Sequence, residues 1–369
     1  MFDFLKLFLF LLFLLPVQSV RVDAQDMGPV QRNTYFLAAD ASGVQQIFQV
    51  VIGSSDAPRQ VSSASSDVLT FGVSSDGLSL AYISGGQLWL QPVHTEAAEA
   101  LAPVAAGQFF SSPVYSPDDE YIAYSDNGAW LLELSTRQTR QLLQDVRMEA
   151  SDSTPGEFRI YFPERFVRGS DGRAQKLVLR IGVWEWLTTG IYDLETGDLQ
   201  MLEGMVHNYA LPIYGDKALL YGNGGVAGEF ALHLAESLED INKYRKVLDF
   251  SDLTDEALFA EQAIEIAPGK VRIFGSVLDA TRRVFYFDVD LMAGTASDVT
   301  FVNLSEDPME NVVAGSLSPD GALLPVYHQA LWAVSGNVYG EFQMLDLATG
   351  QPLEGLSYPQ TVSLFAWQP

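Results

Sequence analysis

Cysteine does not occur anywhere in the 369 residues, which removes disulfides, thiol nucleophiles and thiolate metal sites from consideration. Histidine is scarce: His94, His207, His233 and His328 must carry any imidazole chemistry or histidine-based metal centre. Basic residues are few, 21 against 47 acidic ones, for a formal net charge of −26. A field of that sign repels phosphate backbones and anionic membranes, so nucleic acid is not an expected partner. No segment shows the 3.6-residue apolar spacing sustained over many turns that helical repeats require.

Long apolar runs are missing too, except at the N-terminus. Leu7 to Val17 is unbroken, follows Lys6 and contains Pro16; it is shorter than the roughly 20 residues that span a bilayer as a helix. A basic start, a short apolar centre and small residues at 17–19 or 22–24 make residues 1–24 a signal peptide, with an uncleaved anchor as the competing reading. No cysteine follows the run, so no lipidated N-terminus is expected. The mature chain is expected without a transmembrane span and outside the cytoplasm: periplasmic, associated with the cell envelope, or secreted.

What is abundant is short apolar runs parted by turn residues. Ser112 to Leu143 holds four (Val114-Tyr115, Tyr121 to Tyr124, Trp130 to Leu134 and Gln141 to Leu143), separated by Pro-Asp, Asp-Asn-Gly and Ser-Thr-Arg-Gln turns. Runs this short, rich in Tyr, Ile, Trp and Leu, read as a four-stranded antiparallel meander. The same unit recurs at 68–101, 158–202, 209–248, 264–302 and 316–356. The turn after the first strand measures the repeat: Asp76, Asp118, Asp171, Asp216, Gly269 and Gly321 follow one another at 42, 53, 45, 53 and 52 residues. Four strands per 40 to 50 residues is the period of propeller blades.

The two ends complete the count. Thr34 to Ala39, Gln46 to Ile52 and Arg59 to Val61 are three strands lacking a first one, and Ser363 to Pro369 is a first strand lacking partners. The expectation is an all-β, seven-bladed β-propeller of four-stranded antiparallel blades over residues 25–369, closed by a blade shared between N- and C-terminal strands. Such closure leaves no open sheet edge.

Tyr115-Ser116-Pro117-Asp118 followed by Tyr121-Ile122-Ala123-Tyr124, and Leu317-Ser318-Pro319-Asp320-Gly321, resemble the W/F-S-P-D-G-x-x-I-A-Y core of TolB-like (WD-repeat-like) β-propeller repeats. Ile191 to Gly197 (IYDLETG) and Met344 to Gly350 (MLDLATG) are similar to the outer I-Y-x-x-D-L-x-T-G part of that repeat. The resemblance implies the propeller fold and a role in the periplasmic Tol-Pal assembly. Family members carry a separate N-terminal α/β domain as well, for which the 25–369 propeller leaves no room.

Propellers of this type also gate prolyl-oligopeptidase-like hydrolases, which need a Gly-x-Ser-x-Gly elbow and a further domain. The nearest string, Gly72-Val73-Ser74-Ser75-Asp76, sits in a repeat turn. Pectate-degrading lyases of similar fold bind a metal through histidines at the channel. Here His207 leads into an inner strand and His328 ends a second strand, whereas His94 and His233 fall on outer strands. The acidic residues are too numerous for any pair to be singled out. Ser125 to Gly128 reads as a turn, because it lacks the staggered ligands of a calcium loop. No catalytic residue, metal or cofactor is assigned.

Loops between second and third strands share one end of the ring with the links between blades, and that end collects the irregular segments. A binding face is therefore expected there, built from Phe110, Trp184, Trp186, His207, Tyr209 and Trp332; the competing reading has the aromatic residues plug the ring. Ser251 to Gln262 is expected to form a short helix acting as lid or docking element. The overall expectation is an exported, monomeric, non-catalytic module for a protein or cell-envelope partner. The alternative is a propeller enzyme, lyase or hydrolase, acting on a polysaccharide with His207 and His328 near its channel.

Overall fold

The computed structural model describes residues 32–369, apart from 55, 106–110, 149–155, 184–185, 204–207, 223–229, 278–281, 306, 308–309, 333–337 and 368–369. The leader expected over 1–24 lies outside the described residues.

The blade turn shows why the Ser-x-Asp string recurs. Ser116 Oγ donates to Asp118 Oδ1 at 2.5 Å and accepts the N–H of Tyr121 at 2.9 Å, so one hydroxyl spans the turn between first and second strands. Ser74 repeats this with Asp76 and Ser79, and Ser318 with Asp320 and Leu323. All three serines are buried, where their hydroxyls replace the hydrogen bonds that water would otherwise supply. The outer turns use an aspartate instead: Asp193 Oδ1 accepts the N–H groups of Glu195 and Thr196, and Asp346 Oδ1 those of Ala348 and Thr349.

Seven antiparallel blades follow in a ring. Blade one runs from Val68–Val73 to Glu99–Pro103, blade two from Val114–Tyr115 to Gln138–Gln144, and blade three from Glu157–Arg168 to Leu199–Met201. Blade four runs from Asn208–Ile213 to Tyr244–Asp249, blade five from Leu258–Ala267 to Thr300–Asn303, and blade six from Val313–Ala314 to the first part of Gln351–Trp367. The last part of Gln351–Trp367 pairs with Arg32–Ala39, which continues through Gln45–Ile52 to Arg59–Gln60 as blade seven.

The expected closure is present, and it takes a tighter form than two separate strands. Gln351–Trp367 is a single 17-residue strand: Leu345 faces Pro352 at its start, and Thr34 faces Trp367 at its end. Val362 lies opposite both Gly340 and Ala38. Blades six and seven therefore form one seven-stranded sheet.

The core is divided in the same way. Seven apolar clusters form among the described residues, one between each pair of neighbouring blades. Strand alternation feeds two of them at once: Tyr35 and Leu37 pack toward blade one, while Phe36 and Ala38 pack toward blade six. Each blade is apolar on both faces and is stable only between neighbours.

Hydrogen bonds at the turn end cross every interface. Lys176 Nζ reaches Glu239 at 2.5 Å between blades three and four, Arg272 Nη1 donates to Gly321 O at 2.8 Å between five and six, and Trp367 Nε1 donates to Ser316 O at 2.8 Å between seven and six. Tyr35 Oη donates to Gly77 O between blades seven and one, Arg168 to Pro117 O between three and two, and the Tyr214 N–H to Glu265 between four and five.

One expectation is corrected. Ser251 to Gln262 is not a helix: a 3-10 turn covers Phe250–Asp252, and Leu258–Ala267 is the innermost strand of blade five. Leu258, Ala260 and Ala263 are buried in the interface with blade four. Burial across a pleated sheet outweighs the helix propensity of Ala257, Leu258 and Glu261.

Candidate binding site in the channel

The innermost strands of blades three and five each depart from strict pairing at two places, and one break in each lies beside the same cavity. In Glu157–Arg168, Pro163 faces Leu179 and Arg165 faces Val178, which leaves Glu164 as an extra residue. In Leu258–Ala267, Ala260 faces Gly275 and Gln262 faces Phe274, which leaves Glu261 extra. Such bulges re-aim a side chain that alternation would otherwise fix. The partner at the second bulge has to be glycine, because a Cβ at position 275 would lie 1.9 Å from the carbonyl oxygen of Phe259.

Both glutamates line a cavity of about 560 Å³, together with Arg165, Arg180, Tyr209 and Tyr221. Blade four supplies the aromatic wall, with Tyr209 and Tyr221 stacked at 5.3 Å between ring centroids. The Arg180 guanidinium lies 4.5 Å from the Tyr209 centroid, an attraction of about 0.5–2 kcal/mol. Blade six closes the cavity through Gln262, which donates to Gly315 O at 2.9 Å and accepts the Leu317 N–H at 2.8 Å.

The charges in this cavity are incompletely paired. Glu164 Oε1 is 3.5 Å from Arg165 Nη2 and 3.7 Å from Arg180 Nη2, longer than the roughly 2.7–2.9 Å of a good charge-assisted bond. Six buried side-chain polar atoms lack a hydrogen-bond partner among the described residues, and three of them meet here: Glu164 Oε2, Arg165 Nε and Arg180 Nε. Each such atom costs about 1–3 kcal/mol, so this clustering places the expense at one spot. Glu261 accepts a hydrogen bond from Ser276 Oγ at 2.6 Å. Burial nevertheless pushes its carboxyl above the usual range, and burial likewise raises the Tyr221 phenol, keeping it neutral.

A second cavity, of about 1100 Å³, opens at the end of the ring where first strands turn into second strands, among Gly169, Ser170, Tyr214, Gly215 and Pro268. Arg165 lines both cavities. Tyr214 stands 75% exposed at its rim. The turn end thus carries a concavity of its own, with Arg165 common to it and to the charged cluster.

Of the six residues expected at a binding face, Tyr209 has a described side chain, and it lines the channel cavity. Phe110, Trp184 and His207 lie outside the described residues. The backbone of Trp186 starts the third strand of blade three, and that of Trp332 ends the second strand of blade six; their side chains lie outside the description. His328 is held at 3.1 Å from both Glu310 and Gln343, one through each ring nitrogen. His94 is exposed and His233 buried edge-on to Tyr244. Among the described residues no cluster of three or more His, Asp or Glu is arranged to hold a metal. No helix among them is long and apolar enough to cross a membrane. Sequence reading missed Glu164, Arg165, Arg180 and Glu261 because nothing local distinguishes them from the many other charged residues.

The architecture is that of a seven-bladed β-propeller. No known protein family and no curated protein matches the sequence. Solved structures of similar fold include a TolB from Acinetobacter baumannii, 13% identical, covering 92% of this chain and 67% of that one with a TM-score of 0.49. An oligogalacturonate lyase in complex with manganese is 13% identical, covering 87% and 84% with a TM-score of 0.49. A prolyl endopeptidase is 11% identical over 90% of this chain with a TM-score of 0.54, and this chain spans 48% of its length. At these identities the likeness concerns the fold alone.

Proposed function

We propose that this chain is an exported, non-catalytic propeller that binds a partner or ligand at the cell envelope or outside the cell, with TolB-like repeats as its scaffold. The observation that carries this reading is the convergence of Glu164, Arg165 and Arg180, incompletely paired, on a cavity in the channel. Charges left short of partners in a concave site are a common property of binding sites. The test is capture from native envelope and medium with the wild type and an Arg165→Ala/Arg180→Ala variant as baits. A partner enriched by the wild type and lost with the variant supports the reading; identical profiles from both baits remove the channel from it. Mass spectrometry of the mature chain is expected to find a start near residue 25.

A second reading, catalysis on a polysaccharide, draws on the two carboxylates of the cavity. Burial favours the protonated form of Glu261, while Glu164 faces two guanidinium groups; an acid and a carboxylate in one site are what glycoside hydrolysis uses. Release of reducing ends or unsaturated products from a polysaccharide panel, abolished by Glu261→Gln, would favour it over simple binding.

A further inference from the structure

We infer that the channel cavity beside Tyr209 recognises a carboxylate that carries an N–H or O–H donor on the neighbouring carbon; this rests on the binding reading above. Three features of the cavity lead to it. The first is charge. Arg165 and Arg180 bring two permanent positive charges, and Glu164 is the single carboxylate within 4 Å of either guanidinium among the described residues. Burial disfavours ionisation of Glu261, so the cavity holds an excess of positive charge inside a chain whose net charge is −26. A cation gains nothing from such a spot, and an anion does.

The second feature is shape. Guanidinium is a planar fork that matches a carboxylate with two parallel hydrogen bonds. Among the described residues neither fork is filled: each reaches Glu164 through one Nη2 at 3.5 Å or more, and the buried Nε atoms have no partner. The two side chains are 39% and 35% exposed, so their ends are open to the cavity. The stack of Tyr209 on Tyr221 backs the Arg180 guanidinium.

The third feature selects among carboxylates. The Glu164 side chain is 20% exposed beside the two groups that would hold the anion, and its carboxylate is short of donors among the described residues. A ligand whose carboxylate engages the arginines and whose adjacent hydroxyl or amide N–H reaches Glu164 satisfies both deficits at once. Free α-hydroxy acids and the C-terminus of a polypeptide share this chemistry. The cavity of about 560 Å³ is large enough for either.

The experiment is titration calorimetry on the full chain with four probes: lactate, lactamide, an N-acetylated tripeptide with a free C-terminus, and the same tripeptide as its C-terminal amide. Saturable binding of lactate or the acid tripeptide, with the matching amide at least tenfold weaker, is the expected result; which acid binds distinguishes a free hydroxy acid from a chain end. Arg165→Lys and Arg180→Lys keep the charge and the aliphatic stem but lose the fork, and each is expected to weaken binding about tenfold with an unchanged melting temperature. Glu164→Gln is expected to reduce the preference for lactate over propionate. No heat from either acid at about 10 mM, far above a millimolar dissociation constant, overturns the inference, as do amides that bind equally well or lysine variants that bind like the wild type. Should these results coincide with partner capture that still depends on Arg165 and Arg180, the binding reading stands and the ligand class falls.

Discussion

The carboxylate of Asp119 in blade two accepts the backbone N–H of Ser75 at 2.8 Å and its hydroxyl at 2.5 Å, both from the turn of blade one. Asp119 occupies the place that glycine takes at Gly77 and Gly321, and it holds the same left-handed backbone, with φ of 53°. The contact across the interface offsets a conformation that costs a non-glycine residue on the order of 1 kcal/mol. Asp119→Ala should lower unfolding stability by about 1–2 kcal/mol, and Asp119→Gly by less, since it removes the strain along with the bonds. Urea unfolding with an unchanged slope would read this difference; equal losses in both variants would show that the backbone strain is negligible.

Deleting Gln360 to Pro369 removes the part of the closing strand that pairs with Arg32–Ala39, and with it the Trp367 to Ser316 bond. Blade seven would keep three strands and gain an unpaired edge, which is prone to aggregate. The melting transition is expected to drop as a whole rather than to split, because each blade is stable only between neighbours. A truncated chain that melts at the full-length temperature would show that closure contributes nothing.

Gly275→Ala tests whether the blade-five bulge aims Glu261. The added methyl meets the Phe259 carbonyl at 1.9 Å, so the two strands must part, at an expected cost of about 1–3 kcal/mol. In a variant that still folds, any activity or binding that depends on Glu261 is expected to fall further than overall stability does, as judged from ligand titration beside thermal melting.

Two carboxylates give opposite pH dependences. Glu261 is raised by burial, so its fold contribution is complete below its unfolded value and is lost as pH rises through the higher folded value. Glu261→Gln is expected to flatten that decline on the alkaline side. Asp193 is lowered to about 2, first by the Thr196 N–H and then by Lys176. Its contribution is complete above its ordinary value of 3.8 and is lost as pH falls through about 2; on a partly exposed group it amounts to about 1 kcal/mol. Asp193→Asn should remove that acid-side loss. Melting temperatures from pH 2 to 9 would show both slopes, and a wild type with the same profile as either variant would assign the slope elsewhere.

Much of the fold was legible because a blade is a local object. The Ser-x-Asp turns at Ser74, Ser116 and Ser318, the Asp-Leu-x-Thr-Gly turns and the short alternating runs lie close together in sequence, and their spacing with the incomplete strand sets at the two ends fixed the blade count. Ser251 to Gln262 misled because its composition suits a helix, while its burial against blade four suits a strand. Tyr209 was visible as an aromatic residue at the start of an inner strand; its neighbours in the cavity were not.

The sequence by itself determined the repeat, the seven blades and the partners that the two ends find in each other, since each follows from turn chemistry and a period of two. Only the tertiary structure decided where those ends merge into one 17-residue strand, and which charged residues meet. Glu164 and Glu261 lie in different blades, each the extra residue of a bulge, and both line one cavity. Whether a strand bulges at a given residue depends on its neighbour across the sheet, as at Gly275, and that neighbour is chosen by the ring.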